Sequence, residues 1–329
     1  MTEPFRPADG RPVVWRDGFG TRFAVFVDTE EEFDWNAPFS HDGWSVATTA
    51  ALPDAHARMA GLGVHSCYLV DYPVATDPAA IDALRAVLAQ GDATIGAQLH
   101  PWVNPPFDEA LSPRSSFAGN LPKALEAAKL DRLTDALTTL EGTRPTVYRA
   151  GRYGLGPNTL QLLAARGYAL DSSMRARYDY SAQGGPDYRA IANHAFRTGP
   201  DGAIVELPLT TVFTGRLRRG GAALYRAAGR IPRGRGILAR TGLLHRVALT
   251  PEDMPLADVL EAIRVAVGEG TRVLNFAYHS PSLVPGHTPY VRDAADLAAF
   301  WAWWDAVLGL LARLGVGAVS SDDILAAAT

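Results

Sequence analysis

The sequence predicts an α/β barrel built as a single domain, on three observations. Short runs of β-branched and aromatic residues alternate with helical-period stretches along nearly the whole chain, the pattern of a parallel sheet with helical crossovers. Six or seven such units follow one another. Most of their strands stop at a polar cluster, which suits a barrel mouth better than an open sheet. No internal repeat or low-complexity linker divides the chain. The expected organisation is an N-terminal arm over 1–20, as a tail or an edge, and a barrel over 21–329 with an arginine-rich insertion at about 214–246.

The stretch FAVFVDTEEEFDW (23–35) organises the rest. Its first five residues read as a buried strand. The apolar run then stops at Asp28, and extended backbone places Asp28, Glu30 and Glu32 on one face with Thr29 and Glu31 on the other. Carboxylates that close need a cation between them or a raised pKa. Helix is expected over 48–62, ending at Gly63, then strand over 64–75 and an alanine-rich helix over 78–90 closed by Gly91. ATIGAQL (93–99) reads as strand and runs into HPWVNPPF. Helix over 123–139, strand over 146–151, helix over 158–166 and strand-like YALDSS (168–173) follow. AIVELPLTTVF (203–213) reads as strand before the arginine-rich stretch. The chain then offers helix over 259–267, strand over 273–278, helix over 294–314 and a last strand over 316–323.

Composition narrows the function classes. The net charge of −4 implies no particular partner, and a single cysteine, Cys67, rules out a disulfide framework and a cysteine-rich zinc site. The first residues carry acids and prolines with no apolar core of a secretory signal, and no run approaches the roughly 18 uninterrupted apolar residues of a membrane span. The expected location is the cytoplasm. Between Leu207 and Pro251 there are nine arginines and no acid. A solvated loop is the first reading of that stretch, but charge so one-sided suits an anionic partner. Without a recognition motif for nucleic acid, a phosphate-bearing substrate or peripheral contact with an anionic membrane fits it better.

The strand ends supply the candidate chemistry. His100 follows IGAQL as a metal ligand or general base, with Gln98 on the same face as a hydrogen-bonding residue. Trp102 suits stacking on a sugar ring. TVYRAGRYG sets Arg149 at a strand end, where a guanidinium beside a carboxylate keeps it ionised and oriented. Arg152 and Tyr153 follow as substrate-binding candidates. Asp171 closes YALDSS, as a residue facing substrate or as a turn carboxylate in equal measure. His279, in FAYHSPS, faces the acid pair across the mouth and suits a general acid to a leaving amine.

In this order the clusters resemble the polysaccharide deacetylase (NodB-homology, carbohydrate esterase 4-like) superfamily, and within it the WalW-type branch. The acid pair stands at the first motif, IGAQLHPW resembles the second, YRAGRYG the third, LDSS the fourth and FAYHSPS the last, over roughly residues 20 to 325. The resemblance implies a distorted (β/α)7 barrel of the NodB and glycoside hydrolase-deacetylase type. It implies a hydrolase that removes an acyl group, N-acetyl first, from an amino sugar or related amide. In that scheme Asp28 is the catalytic base, Arg149 orients it, His279 is the general acid, and Glu30 and His100 hold the metal. The implied cofactor is a divalent metal: zinc first, then magnesium, manganese, cobalt or nickel. Gln98 stands at the place of a metal-binding histidine, and Trp102 at that of another, so a site without metal stays open. With it stays the alternative of a catalytically silent barrel that binds a glycan or glycan precursor in surface-polysaccharide assembly. The implied partner is an acylated amino sugar or sugar-like amide, phosphate-linked if the arginine-rich stretch serves it.

Overall fold

Twelve strands and ten α-helices make up the described chain. The computed structural model describes residues 10–34 and 37–329, so the first nine residues of the expected arm, with Trp35 and Asn36, lie outside the described residues. In chain order the strands are β1 Arg11–Pro12, β2 Arg22–Thr29, β3 Ser66–Val70, β4 Ala93–Leu99, β5 Val147–Ala150 and β6 Leu170–Asp171. They continue as β7 Phe196–Thr198, β8 Ile204–Glu206, β9 Thr211–Thr214, β10 His245–Ala248, β11 Val273–His279 and β12 Gly317–Ala318.

Seven of these, in the order β8-β6-β5-β4-β3-β2-β11, form one continuous parallel ladder. Helices cover its outer face, and the result is a distorted (β/α)7 barrel. The ladder stops at β8 on one side and β11 on the other. Side chains bridge the gap: Asn275 Nδ2 donates to Leu207 O at 3.0 Å and to Ser172 Oγ at 2.8 Å. One backbone bond, Ala277 N to Leu249 O at 3.2 Å, joins β11 to the segment after β10. β9 and β10 pair separately as an antiparallel ribbon.

Alternation along the strands sorts the core into two layers. Phe26, Cys67, Leu69, Val147, Leu170, Val205 and Val273 fill the barrel interior, with Val13 and Phe19 of the arm packed among them. Val25, Val27, Tyr68, Leu99 and Tyr148 face the helices. The arm is tied in at the sheet edge, where β1 pairs with β7. Helix boundaries follow local chemistry. Asp77 caps Pro78–Gln90 by accepting from Ala79 N and Ala80 N, both at 2.9 Å. Gly91, at φ +81°, ends that helix in a conformation that other residues resist. Ala294–Arg313 is long and apolar enough to cross a membrane by composition. Here it lies on the barrel and buries Phe300, Trp303, Trp304 and Val307, each large side chain contributing about 1.5–3 kcal/mol.

Three strand expectations change. The 64–75 run ends as strand at Val70, because Asp71 accepts from Val74 N and starts the helix Tyr72–Thr76. The 203–213 run splits into β8 and β9, because Pro208 has no N–H to give a ladder. The 316–323 run keeps only β12; Ser320 then accepts from Asp323 N at 3.0 Å and starts the helix Ser321–Ala327. The expected insertion becomes the connection within the β9–β10 ribbon, holding the short helices Gly221–Ala228 and Gly234–Arg240.

Candidate active site

Asp28 is the last interior-facing residue of β2 and is 1% exposed. Arg149 reaches it from the interior face of β5, with Nη1 donating to Asp28 Oδ1 at 2.6 Å. The fully buried guanidinium is fixed on its other side, where Nε donates to Ser172 O at 2.8 Å and Nη2 to Ser172 Oγ at 3.0 Å. One oxygen of Asp28 is thus pinned. Its other oxygen, Oδ2, faces His279 Nε2 at 3.9 Å.

His279 ends β11 and is held by a residue that the sequence did not single out. Glu252 Oε2 lies 2.6 Å from His279 Nδ1, and Glu252 Oε1 accepts from the His279 backbone N–H at 3.1 Å and from Ser282 Oγ at 2.5 Å. Burial disfavours the imidazolium, but Glu252, then Glu30 and Asp28, outweigh it and raise the His279 pKa to about 10. The histidine is therefore charged at neutral pH, with its Nε2 directed at the acid pair. Glu252 follows the ribbon in TPEDMP, and its one sequence signal is being the first acid after the long basic stretch.

Glu30, one alternation beyond Asp28, also enters the cleft. Its Oε2 is 3.5 Å from His100 Nε2 and its Oε1 is 4.0 Å from His279 Nε2. Burial raises its pKa to about 8 even though His279 and His100 pull it down. His100 turns its other nitrogen, Nδ1, to Glu31 Oε2 at 2.8 Å. Glu31 in turn accepts from Trp102 Nε1 at 2.8 Å, and Asp71 lies against both. Glu31, Asp71 and His100 place ligand atoms within 4.8 Å of one another, a buried group able to hold a metal ion. In the arrangement seen, those atoms already satisfy each other. Burial drives the Asp71 pKa well up and that of Glu31 to about 7, so Asp71 keeps its proton and hydrogen-bonds Glu31. Asp71 also accepts from Glu31 N and Val74 N.

The cleft side of His100 fits a cation better. A carboxylate fixing Nδ1 leaves Nε2 as the lone-pair nitrogen, as in carboxylate–histidine–metal arrangements. Glu30 stands beside it, and Gln98 lines the same cleft with a buried Oε1 that has no hydrogen-bond partner. Carboxylate, imidazole and amide oxygen form a donor set for a divalent ion, harder than the usual zinc set.

These groups line a cleft of about 500 Å³ that includes Asp28, Glu30, Gln98, His100, Trp102, Arg152, Tyr153 and His279. A smaller lobe of about 240 Å³ continues from Asp28 and His279 toward Glu252, Asn275 and Tyr178, and Arg175 lines both. Trp102 stacks on His100 at 4.4 Å between ring centres, so it orients that ring besides lining the cleft. Arg152 donates to Ser116 Oγ and to Gln183 Oε1. Arg152 and Tyr153 both have left-handed backbone, at φ +54° and +60°, strain of about 1–3 kcal/mol each that the surrounding packing sustains. Gly151 before them is obligatory: a Cβ there would lie 2.3 Å from His100 Cδ2 and 2.7 Å from Leu99 O.

Asp171 is the candidate that does not reach the cleft. In LDSS the inward positions are Leu170 and Ser172, so Asp171 turns toward the helices, where Ser173 Oγ donates to it. Burial raises its pKa to about 6, and that of its neighbour Glu206 well up. The motif serves the site through Ser172, which holds Arg149. His41 bonds Trp102 O through Nδ1 at 2.7 Å and packs tilted on the Phe107 ring at 4.2 Å between centres.

No protein-family model matches the sequence, and no curated protein sequence matches it. Solved structures do resemble it. A protein assigned as a polysaccharide deacetylase from Mycobacterium smegmatis superposes with TM-score 0.55 at 18% identity, over 98% of this chain and 94% of that one. PuuE allantoinase superposes with TM-score 0.51 at 14% identity, over 94% of this chain and 91% of that one. A 4-α-glucanotransferase from Thermococcus litoralis gives TM-score 0.53 at 11% identity, over 94% of this chain but 41% of its own. The chain shares its fold with these three proteins.

Proposed function

We propose that the protein is a hydrolase of a C–N bond other than a peptide bond, releasing an acyl group, N-acetyl first, from an amino sugar or related amide. The observation that carries this reading is the facing of Asp28 Oδ2 and His279 Nε2 at 3.9 Å, a fixed base and a charged acid in one cleft. Asp28, oriented by Arg149, takes a proton from the attacking water. His279 Nε2–H gives its proton to the departing nitrogen, so a carboxylic acid and a free amine leave. Glu252 keeps His279 in the tautomer and charge state that this needs. Glu30, His100 Nε2 and Gln98 Oε1 would hold a divalent ion, which when bound supplies Lewis-acid polarisation of the acyl oxygen. On the same reading we place the protein in the WalW-type branch and in the cytoplasm, and fractionation of cells expressing the chain tests the location.

Acyl release from a panel of acylated amino sugars and simple amides tests the activity. Asp28→Asn lowers turnover by about 10²–10⁴-fold, and equal turnover in that variant sinks the reading. Metal content measured on the native protein and on His100→Ala tests the ion. Gln98, where the resembled family has a histidine, favours a second reading, a barrel that binds glycans without turnover. Retained glycan binding with no acyl release from any amide would establish it.

A further inference from the structure

Away from the catalytic cleft, a pocket of about 290 Å³ is lined by five arginines, Arg177, Arg189, Arg226, Arg235 and Arg246, against one lining acid, Asp179. Only Arg189 is neutralised, by Asp179 at 3.3 Å and Asp187 at 2.5 Å. The other four have no ion pair among the described residues. Arg177 and Arg246 spend hydrogen bonds on backbone carbonyls, Thr211 O and Arg177 O. Arg246 keeps a buried Nε without a partner. Arg246 and Arg235 lie over the Tyr225 ring at 4.7 and 4.4 Å, an arrangement that holds guanidinium groups without cancelling their charge.

Four uncancelled guanidinium groups around one cavity repel one another, and a multiply charged anion relieves them. Their planar donors match phosphate oxygens in paired hydrogen bonds. The pocket is also next to the chemistry. Tyr178 lines the smaller lobe of the catalytic cleft, and Arg246 of the arginine pocket lies over its ring at 3.5 Å. We propose that this pocket binds a phosphoryl group, mono- or diphosphate. Resting on the hydrolase reading, the substrate is then an acylated sugar carrying phosphate at one end.

Calorimetric titration of the full chain with inorganic pyrophosphate tests the pocket without turnover. Saturable binding is expected, weakened at least about tenfold by combined Arg226→Gln and Arg235→Gln, both exposed positions whose loss leaves thermal unfolding unchanged. Arg218→Gln with Arg219→Gln removes equal charge from the same insertion outside the pocket. It leaves affinity within about twofold, because screening suppresses distant charges. No saturable binding, or equal loss in both double variants, overturns the proposal.

Vesicles containing phosphatidic acid separate the sources of the phosphate. Capture lost in the Arg226/Arg235 variant assigns a lipid-borne phosphate, and pyrophosphate binding without capture assigns a soluble one. Capture indifferent to that variant, with no pyrophosphate binding, overturns the site and leaves the exposed Leu224, Ile231 and Ile237 as the cause. Intact pyrophosphate binding with no acyl release sinks the hydrolase reading alone.

Discussion

At His279 the arrangement of charge decides the protonation state. Burial alone would leave the imidazole neutral; Glu252, Glu30 and Asp28 together lift its pKa to about 10. The proposed general acid works while protonated, so activity is expected to fall as pH rises through about 10. Glu252→Gln removes the largest of the raising charges, so the alkaline limb of kcat/KM moves down by ~1 pH unit or more. A limb that stays in place would show that Glu252 only packs the site. Gly151 sets a different limit. Gly151→Ala forces a methyl into the His100 ring and Leu99 O. We expect turnover to fall by about 10²-fold with a stability loss of about 1–3 kcal/mol, read by assay and urea denaturation. Retained activity would mean that His100 can move without consequence. Asp28, Glu30, Gln98, His100, Arg149 and His279 were legible in the sequence because each sits inward at a strand end, where period-two alternation fixes its face. Glu252 and Glu31 were not, because a loop and a strand exit fix their direction. Asp171 misled because its strand is two residues long, and the register of LDSS is set by its neighbours.

The helix Lys123–Glu141 shows how an element positions the site. Its Lys129 is fully buried and donates to Pro101 O at 2.9 Å and Asn104 O at 2.6 Å, with Glu109 at 2.8 Å, tying down the loop that follows His100. One turn earlier, Glu126 is buried against Thr159, whose hydroxyl donates to it. Burial raises its pKa from 4.5 to about 7. A carboxyl whose folded pKa is raised contributes stability present below pH 4.5 and lost as pH rises through about 7. Glu126→Gln keeps the acceptor and removes the titration. The variant is therefore expected to gain on the native protein in urea denaturation at pH 8 compared with pH 5; an unchanged difference refutes the assignment. Helix bounds were largely legible where a glycine closes them, as Gly63 does just beyond Leu52–Gly61 and Gly91 after Pro78–Gln90. The short helix Ser321–Ala327 was hidden because VGAV reads as strand and the cap at Ser320 arrives directly after it.

Across the whole molecule, alternation predicted a barrel of six or seven units and the family resemblance implied seven, but the place where it fails to close has no sequence signature. The ladder ends at β8 and β11, and Asn275 spans the gap. Its backbone N–H donates to Thr210 Oγ1 at 2.9 Å, and its amide reaches Ser172 Oγ at 2.8 Å and Leu207 O at 3.0 Å. Ser172 Oγ is also the acceptor that holds Arg149 Nη2. The seam is thus coupled to the orientation of Asp28. Asn275→Leu fills similar volume but cannot donate, leaving Leu207 O with Ser172 Oγ as its remaining donor and Ser172 Oγ with Arg149 Nη2 as its remaining donor. That loss is expected to cost about 2–4 kcal/mol in urea denaturation, and turnover should fall by more than the unfolded fraction accounts for, because the Arg149–Asp28 pair loses one of its supports. A stable variant with full activity would show that packing alone closes the barrel. A stable variant with lost activity would place the role of Asn275 in orienting Arg149, and an unstable but active one would place it in the seam.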